Sequence, residues 1–571
     1  MSKTASKAAS KTHNNDKNTN VTLPHYLMWF RRDLRLHDNT ALTALCEKAA
    51  TDNAQVSAVF FLTPKQWQAH DMSLVQVDHI ARTLPILAKT LQDQLNITLI
   101  VHSAPSFADC IDTLTTLCQK NHISCIMANH EYEGNEIDRD EQLTKQLAKD
   151  DIEFIRWHDQ CILPPQSITT NDDTMYQVFT PFYKKWRHTL DVGEIQLHDA
   201  PAIKDNHDID LQLSKTSVNT MKEIESLCKN TVEDYQKTLQ DAEALQHIDS
   251  EEQLKHARDA YPAGEKAACQ QLERFIAEDI NDYDVGRDVP SLNATSQLSA
   301  YLTIGTISPR LCYLQAHKAQ EKLHGNDGDN EDINRWISEL AWRDFYRHVL
   351  VDKPELIRHQ AYKDDTDKRI NWSYGDDDFK AWCTGKTGVP LVDAAMKSLN
   401  TTGFMHNRLR MVTAMFLTKD LLIDWRWGER YFMQQLIDGD FASNNGGWQW
   451  SASTGTDSAP YFRIMNPFSQ GKTHDPDGTF IKTWLPELKD IPNSTLHSEE
   501  KLRKALSKGG KFASLDYPLP MVEHKKAREL AIAEFKKLIT SFKQTFSHVS
   551  KWFNRLLTRL LVIGTPLHLE S

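Results

Sequence analysis

Between residues 26 and 129, four short apolar runs alternate with longer amphipathic stretches. This alternation constrains the fold more than any other feature of the chain. The runs are YLMWF (26–30), QVSAVFFL (55–62), ITLIVH (97–102) and ISCIMAN (123–129). Each has strand length and is apolar almost throughout, as a strand covered on both faces must be. Helical stretches such as Leu74–Gln94 supply the crossovers. The pattern predicts an α/β domain over 24–160 built on a doubly wound parallel sheet. From about 263 to 535 the periodicity turns helical, which predicts a separate all-α domain. Residues 161–262 read as an interdomain linker with a helix or two. Residues 1–23 are polar and read as a disordered tail. Residues 536–571 read as an amphipathic C-terminal extension, with Phe, Val, Trp and Leu at helical spacing between Lys and Arg.

Charge bears on possible partners. The net charge of −12 argues weakly against nucleic acid, but residues 201–260 hold 13 acidic and 7 basic side chains and supply half of it. The remainder leaves room for a local basic surface. Nine Cys with no C-x-x-C pair fit reduced thiols in a cytoplasm, not a disulfide framework or a zinc site. No metal ligands are assigned. No run of about 18 apolar residues is present, so no membrane span is expected.

Two Gly-Lys-Thr matches are decoys. In TGKTG (384–388) and QGKTH (470–474), Lys380 and Asn466 stand where a P-loop needs its first glycine. G-x-G-x-x-G is also absent, so a dinucleotide here would not sit on a Rossmann turn.

Tryptophan carries the strongest signal, with eight of 14 between 336 and 450. In NRWISELAWRDFYRHVL (334–350), Glu339, Trp342, Arg343 and Tyr346 share one helix face. A carboxylate, an indole, a guanidinium and a phenol make a poor core, but a good wall for a polar aromatic ligand. Asn407 and Met411 share a face in the next segment, with Arg408 and Arg410 left for phosphates. Gly403 is placed to end the preceding helix. FASNNGGWQWSASTG (441–455) reads as a polar loop, with Asp438 and Asp440 before Asn444 and glycines that admit a ligand to the backbone. Trp448 and Trp450, two apart, point in different directions. Upstream, Tyr283, Arg287, Thr295, Ser296 and Ser299 suggest a pyrophosphate cradle, although Thr295 and Ser296 also suit helix caps.

MWFRRDLRLHDNTAL (28–42), ELAWRDFYRH (339–348), GFMHNRLRM (403–411), DWRWGERYF (424–432) and DGDFASNNGGWQWSASTGTDSAPYFRIMNP (438–467) resemble the photolyase/cryptochrome family, above all its bacterial class I cyclobutane pyrimidine dimer photolyases. The resemblance covers roughly residues 24–535. It implies a helical domain holding FAD, active as FADH−, and light-driven repair of pyrimidine dimers in UV-damaged DNA by a carbon–carbon lyase. The alternative within the family is a cryptochrome-type blue-light receptor without repair.

Residue roles follow from the same resemblance. Tyr283, Arg287, Thr295, Ser296, Leu298 and Ser299 would hold the FAD phosphates. Asp438 and Asp440 would contact ribose and flavin, Asn444 would face flavin N5, and Asn407 and Arg410 would line the pocket. Glu339, Trp342, Asn407, Met411 and Trp450 would meet the flipped dimer. Trp448, Trp425 and Trp372 would form an electron relay that photoreduces the flavin. Asn135 and Glu136 in EYEGNE (131–136) would hold an antenna, methenyltetrahydrofolate first, with a deazaflavin or an empty site as the alternatives. Arg343, Arg408 and Lys472 are the expected DNA contacts. The expected enzyme is a cytoplasmic monomer that meets the nucleoid when bound to DNA. Three positions depart from the family pattern: Phe404 for Trp, Gln297 for a basic residue, and Arg358 for Lys.

Overall fold

All four apolar runs form strands. The computed structural model describes residues 23–203, 206–207, 211–240, 245–324 and 330–537. The expected tail and C-terminal extension lie outside these residues, apart from 23, 536 and 537.

The strands are β1 (His25–Trp29), β2 (Gln55–Leu62), β3 (Leu99–Ser103), β4 (Ile123–Asn129), β5 (Glu153–Trp157) and β6 (Ser217–Val218), in the order β5-β4-β1-β2-β3-β6. β1 to β5 run parallel, and β6 adds an antiparallel edge on β3. The winding reverses between β1 and β4, both almost wholly buried, as their composition requires. α1 (Leu74–Leu95) opens on a Ser73 cap and stops at left-handed Asn96. α2 (Gly134–Leu147) follows β4.

The segment 161–262 is more than a linker. It contributes β6, α3 (Phe179–Val192), α4 (Met221–Gln240) and α5 (Ser250–Ala260). α4 lies along α1, and Tyr235 Oη donates to Met72 O at 2.7 Å. Ile224, Cys228, Val232 and Tyr235 form its buried stripe. The surrounding acidic residues face water, which is why the composition read as a connector while the helical period was present.

The helical domain places four helices around one space: α6 (Glu331–Asp352), α7 (Asn407–Met415), α8 (Trp425–Gln435) and α9 (Phe441–Ala452). Gly403 ends the helix before α7 with φ +70°, as expected. The stretch expected to be a polar loop is instead α9. Asp440 caps it by accepting from Ser443 N at 2.9 Å, and packing overrides the weak helix propensity of its glycines. A Cβ on Gly446 would lie 2.2 Å from Tyr346 Cδ1, so glycine lets α9 press against α6.

The two domains dock closely. A Cβ on Gly305 (φ +73°) would lie 2.0 Å from Arg32 O, and Leu34 N donates to Ile304 O at 3.3 Å. Asp344 on α6 accepts from Ile162 N, Leu163 N and Trp186 Nε1 at 3.0–3.1 Å, pinning the chain that leaves the sheet. Among the described residues no helix is long and apolar enough to cross a membrane.

Candidate functional site

One cavity of about 510 Å³ opens between α6, α7, α8 and α9. Its size falls within the range of cofactor and drug-sized ligand sites. It is lined by Tyr283, Arg287, Thr295, Ser296, Leu298, Ser299, Glu339, Trp342, Asn407, Arg410, Met411, Asp438, Asp440, Asn444, Trp448 and Trp450. These are every residue that the sequence assigned to cofactor or lesion, together with the first member of the relay.

The α6 face forms as its spacing predicts: Glu339, Trp342, Arg343 and Tyr346 all line the cavity. Trp342 is held flat by Phe179 of α3, with ring centroids 3.6 Å apart and planes within 8°. Phe179 went unread because it lies in the segment read as an interdomain linker and its partner is far along the chain. Arg287 Nη1 donates to Glu339 Oε1 at 2.6 Å, which joins the phosphate and lesion groups at one point. Thr295 and Ser296 do not cap the following helix, which starts at Ser299 with Leu298 at its cap position and no side-chain cap bond.

The charged groups are anchored. Arg410 Nη2 donates to both oxygens of Asp438, at 2.9 and 2.8 Å, and its Nε donates to Met405 O. Arg347 Nη2 donates to Asp440 Oδ2 at 2.5 Å. Burial alone would raise the Asp440 carboxyl, but the Arg347 and Arg343 guanidiniums and the Ser443 bonds outweigh it and bring it down to about 2. Asn444 Nδ2 donates to Glu429 O at 2.9 Å and faces Glu429 Oε1 at 3.3 Å. Both Glu429 atoms only accept, so they fix the amide nitrogen outward and leave Asn444 Oδ1 as its free acceptor.

Three arginines differ from expectation. Arg408 and Arg410 are not free for phosphates: Arg410 is paired with Asp438, and Arg408 Nη2 donates to Asp288 Oδ2 at 2.6 Å. Arg343, expected on the DNA surface, is in the cavity wall and donates to Gln160 O and Leu302 O. Burial, then Arg347, lowers its guanidinium to about 10. Lys472 is exposed on the helix Pro467–His474.

Trp448 is buried, and its Nε1 finds no acceptor among the described residues. Its ring rests on Gly428, where a Cβ would lie 2.1 Å from Trp448 Cη2. Gly428 is one turn along α8 from Trp425. Trp425 Nε1 and Trp372 Nε1 donate to the same oxygen, Asp367 Oδ1, at 3.1 and 3.2 Å. Trp425 is fully buried and Trp372 half-buried. The sequence reading missed Asp367.

Asn135 and Glu136 lie apart from this cavity, at the start of α2. Asn135 Nδ2 meets His70 Nε2 at 2.8 Å, and Glu136 Oε1 lies 3.5 Å from His70 Nδ1. Glu136 is 2% exposed, and its Oε2 has no partner among the described residues. Burial, then Glu133 and Glu131, raises its carboxyl to about 8. Ile357 packs on Gly134, which brings exposed Arg358 to the same corner. Near the sheet's switch point, the Arg31 and Arg139 guanidiniums lie 4.9 and 4.6 Å from the Trp29 ring centroid.

Comparison with known proteins agrees with both halves of the chain. Residues 26–204 match the DNA photolyase family model, and residues 336–537 match the FAD binding domain of DNA photolyase. The chain is 42% identical over 515 residues to a deoxyribodipyrimidine photo-lyase of Salmonella typhimurium, covering 90% of this chain and 99% of that protein. It is 41% identical over 512 residues to that of Escherichia coli, covering 90% and 98%. Among solved structures, a class III photolyase from Agrobacterium tumefaciens superposes with a TM-score of 0.73 at 29% identity, covering 92% of this chain and 100% of that one. A Synechocystis cryptochrome superposes with a TM-score of 0.72 at 26% identity, covering 89% and 99%. The chain belongs to the DNA photolyase family.

Proposed function

We propose that this protein repairs DNA by light, splitting cyclobutane pyrimidine dimers. One observation carries the reading: the four lesion-facing groups Glu339, Trp342, Met411 and Trp450 share a single cavity with the whole flavin-binding set. A receptor has no need of that second group.

The residues present fit FAD. Hydroxyls of Thr295, Ser296 and Ser299 line one part of the cavity, two carboxylates are held by arginines in another, and Gly447 adds no side-chain wall. When bound, reduced FAD would supply, under blue light, the electron that opens the cyclobutane ring and would take it back. The chain does the rest. Asn444, its amide nitrogen held by Glu429, would offer Oδ1 to the reduced flavin as an acceptor that adds no negative charge. Trp342, flattened by Phe179, and Trp450 give the dimer two aromatic surfaces to stack on. Photolyases are among the enzymes that take their target base out of the duplex. Exposed Asn407 at the start of α7 lines the same cavity and would meet such a base. Glu339 accepts from pyrimidine ring N–H groups, and Arg287 keeps it in place. Trp448, Trp425 and Trp372 would re-reduce the bound flavin, with Asp367 holding the last two indoles.

We also propose a folate antenna at Asn135 and Glu136. The unpartnered Glu136 Oε2 suits the paired N–H groups of a pterin ring, and Arg358 suits the glutamate tail. Exposed Lys472 is the candidate contact to DNA phosphates.

The test is repair of a thymine-dimer oligonucleotide by purified, reduced protein, in blue light and in the dark, beside Glu339→Ala. Repair in light alone, reduced by the substitution, is the expected result. Bound, reducible flavin with no repair would replace this reading with the light receptor.

A further inference from the structure

A second row of aromatic rings leaves Trp448 in another direction. Trp448 meets Trp382 edge-on, with centroids 6.0 Å apart. Trp382 stacks on Phe379 at 5.8 Å and 18°. Phe379 meets Trp427 edge-on at 5.1 Å, and Trp427 meets Tyr374 at 5.7 Å. Exposure rises along the row. Trp448 and Trp382 are buried, Phe379 and Trp427 are half-buried, and Tyr374 is 60% exposed. The row is continuous in space, although its members come from α8, α9, the helix Asp376–Cys383 and the loop before it.

The outer end has what a tyrosine needs to give up an electron, namely a base for its proton. Tyr374 Oη donates to Asp424 Oδ2 at 3.2 Å. Asp424 Oδ1 is occupied by Arg426, through N and Nη1 at 3.0 Å each, so Oδ2 is the oxygen left for the phenol. Burial, then Asp424, raises the phenol pKa, which keeps the proton on Tyr374 at rest.

We infer that Trp382, Trp427 and Tyr374 form a second electron-supply branch that starts at Trp448 and ends in proton-coupled oxidation of Tyr374. The inference rests on the reading of Trp448 as the flavin's first donor. Photoexcited oxidised flavin is the oxidant, and it takes one electron from Trp448. Trp382 refills Trp448. Trp427 refills Trp382 across Phe379, whose ring is too hard to oxidise and acts only as a bridge. Tyr374 gives one electron to Trp427 and its Oη proton to Asp424 Oδ2. The flavin is one electron richer, and a neutral tyrosyl radical remains at the surface, open to external thiols. With its proton gone, that radical returns its electron demand slowly, so the flavin stays reduced.

The experiment is electron paramagnetic resonance on the oxidised holoenzyme after a blue-light flash, with and without ring-deuterated tyrosine. The expected signal is a tyrosyl radical that narrows on deuteration. It should be lost in Tyr374→Phe and in Trp427→Phe, and kept in Trp372→Phe, which interrupts only the other relay. Tyr374 is exposed, so its substitution leaves the core packing intact, and bound-flavin absorbance checks the fold of each variant. A tyrosyl signal that survives Tyr374→Phe or Trp427→Phe overturns the branch, as does a wild-type signal from tryptophan alone. Trp448→Phe separates the two levels. Undiminished radical formation in that variant overturns the relay reading itself. Abolished radicals there, with an unaltered signal in Tyr374→Phe, overturn the branch alone.

Discussion

Gly446 and Gly447 are neighbours on α9 with opposite surroundings. A Cβ on Gly446 would collide with Tyr346, whereas one on Gly447 would meet nothing within 4 Å. Gly446→Ala is expected to cost about 1–3 kcal/mol through overpacking. Gly447→Ala is expected to gain up to about 1 kcal/mol in the flavin-free protein, from helix propensity alone. Thermal denaturation of the two variants checks this; shifts of the same sign would refute it. Glu136 makes a second prediction at this scale. Its folded carboxyl is raised to about 8, so it is protonated at neutral pH in the empty site. The contribution to folding is present below the unfolded carboxyl value and falls as pH rises toward about 8. A pterin donating to the carboxylate must displace that proton, so folate affinity should rise with pH and level off above about 8. Fluorescence titration of folate across this range, beside Glu136→Gln, is the measurement. A wild-type affinity without slope would remove Glu136 from the antenna site.

At the scale of elements, legibility depended on sequence distance. The α6 wall was readable because Glu339, Trp342, Arg343 and Tyr346 repeat at the helical period within eight residues. The strands were readable because burial on both faces leaves unbroken apolar runs. α9 was not, since Asn-Asn-Gly-Gly disfavours helix and only contact with Tyr346 and the Asp440 cap select it. Asp367 was invisible for another reason. Its two indole partners lie 5 and 58 residues away, and nothing local marks a carboxylate as their shared acceptor. The cradle at 295–299 was readable as hydroxyls before a helix, but whether they capped it needed the backbone. Asp367 supports the relay prediction. Its charge stabilises an electron hole on Trp425 or Trp372, while Asn keeps an acceptor and removes the charge. Asp367→Asn should slow flavin photoreduction, and Trp448→Phe should slow it further. Both should leave repair by chemically reduced protein near wild type. Flash photolysis and a repair assay on the same samples decide the matter. Parallel loss of both activities would mean that these residues shape the pocket instead of feeding it.

If the corner at Glu136 holds an antenna as proposed, it and the flavin cavity must keep a fixed separation, because energy transfer between chromophores depends on distance and orientation. The structure achieves this with buried ion pairs across the domain boundary. Arg310 of the helical domain donates to Asp38 Oδ2 and Asp159 Oδ1 at 2.9 Å each. Arg35 joins Asp159 at 2.6 Å and reaches back to Gly305 O at 3.1 Å. Asp159 is fully buried; burial alone would raise its carboxyl, but Arg35 and Arg310 hold it well below the usual carboxylate range. Its stabilisation is therefore present above the unfolded carboxyl value and is lost only in strong acid. Removing one partner from such a network leaves charge buried without compensation, at a cost of about 3–5 kcal/mol. Arg310→Met keeps the volume and deletes the charge. It leaves Asp38 without its cation and should loosen the docking before it unfolds either domain. In wild type, flavin release and loss of helical circular dichroism should coincide on heating, because the clamp couples the domains. In Arg310→Met the sheet domain should melt first, and antenna-to-flavin energy transfer should fall while flavin excited directly still drives repair. Coincident melting with unchanged transfer efficiency would show that apolar packing around Gly305, and not the ion pairs, sets the separation.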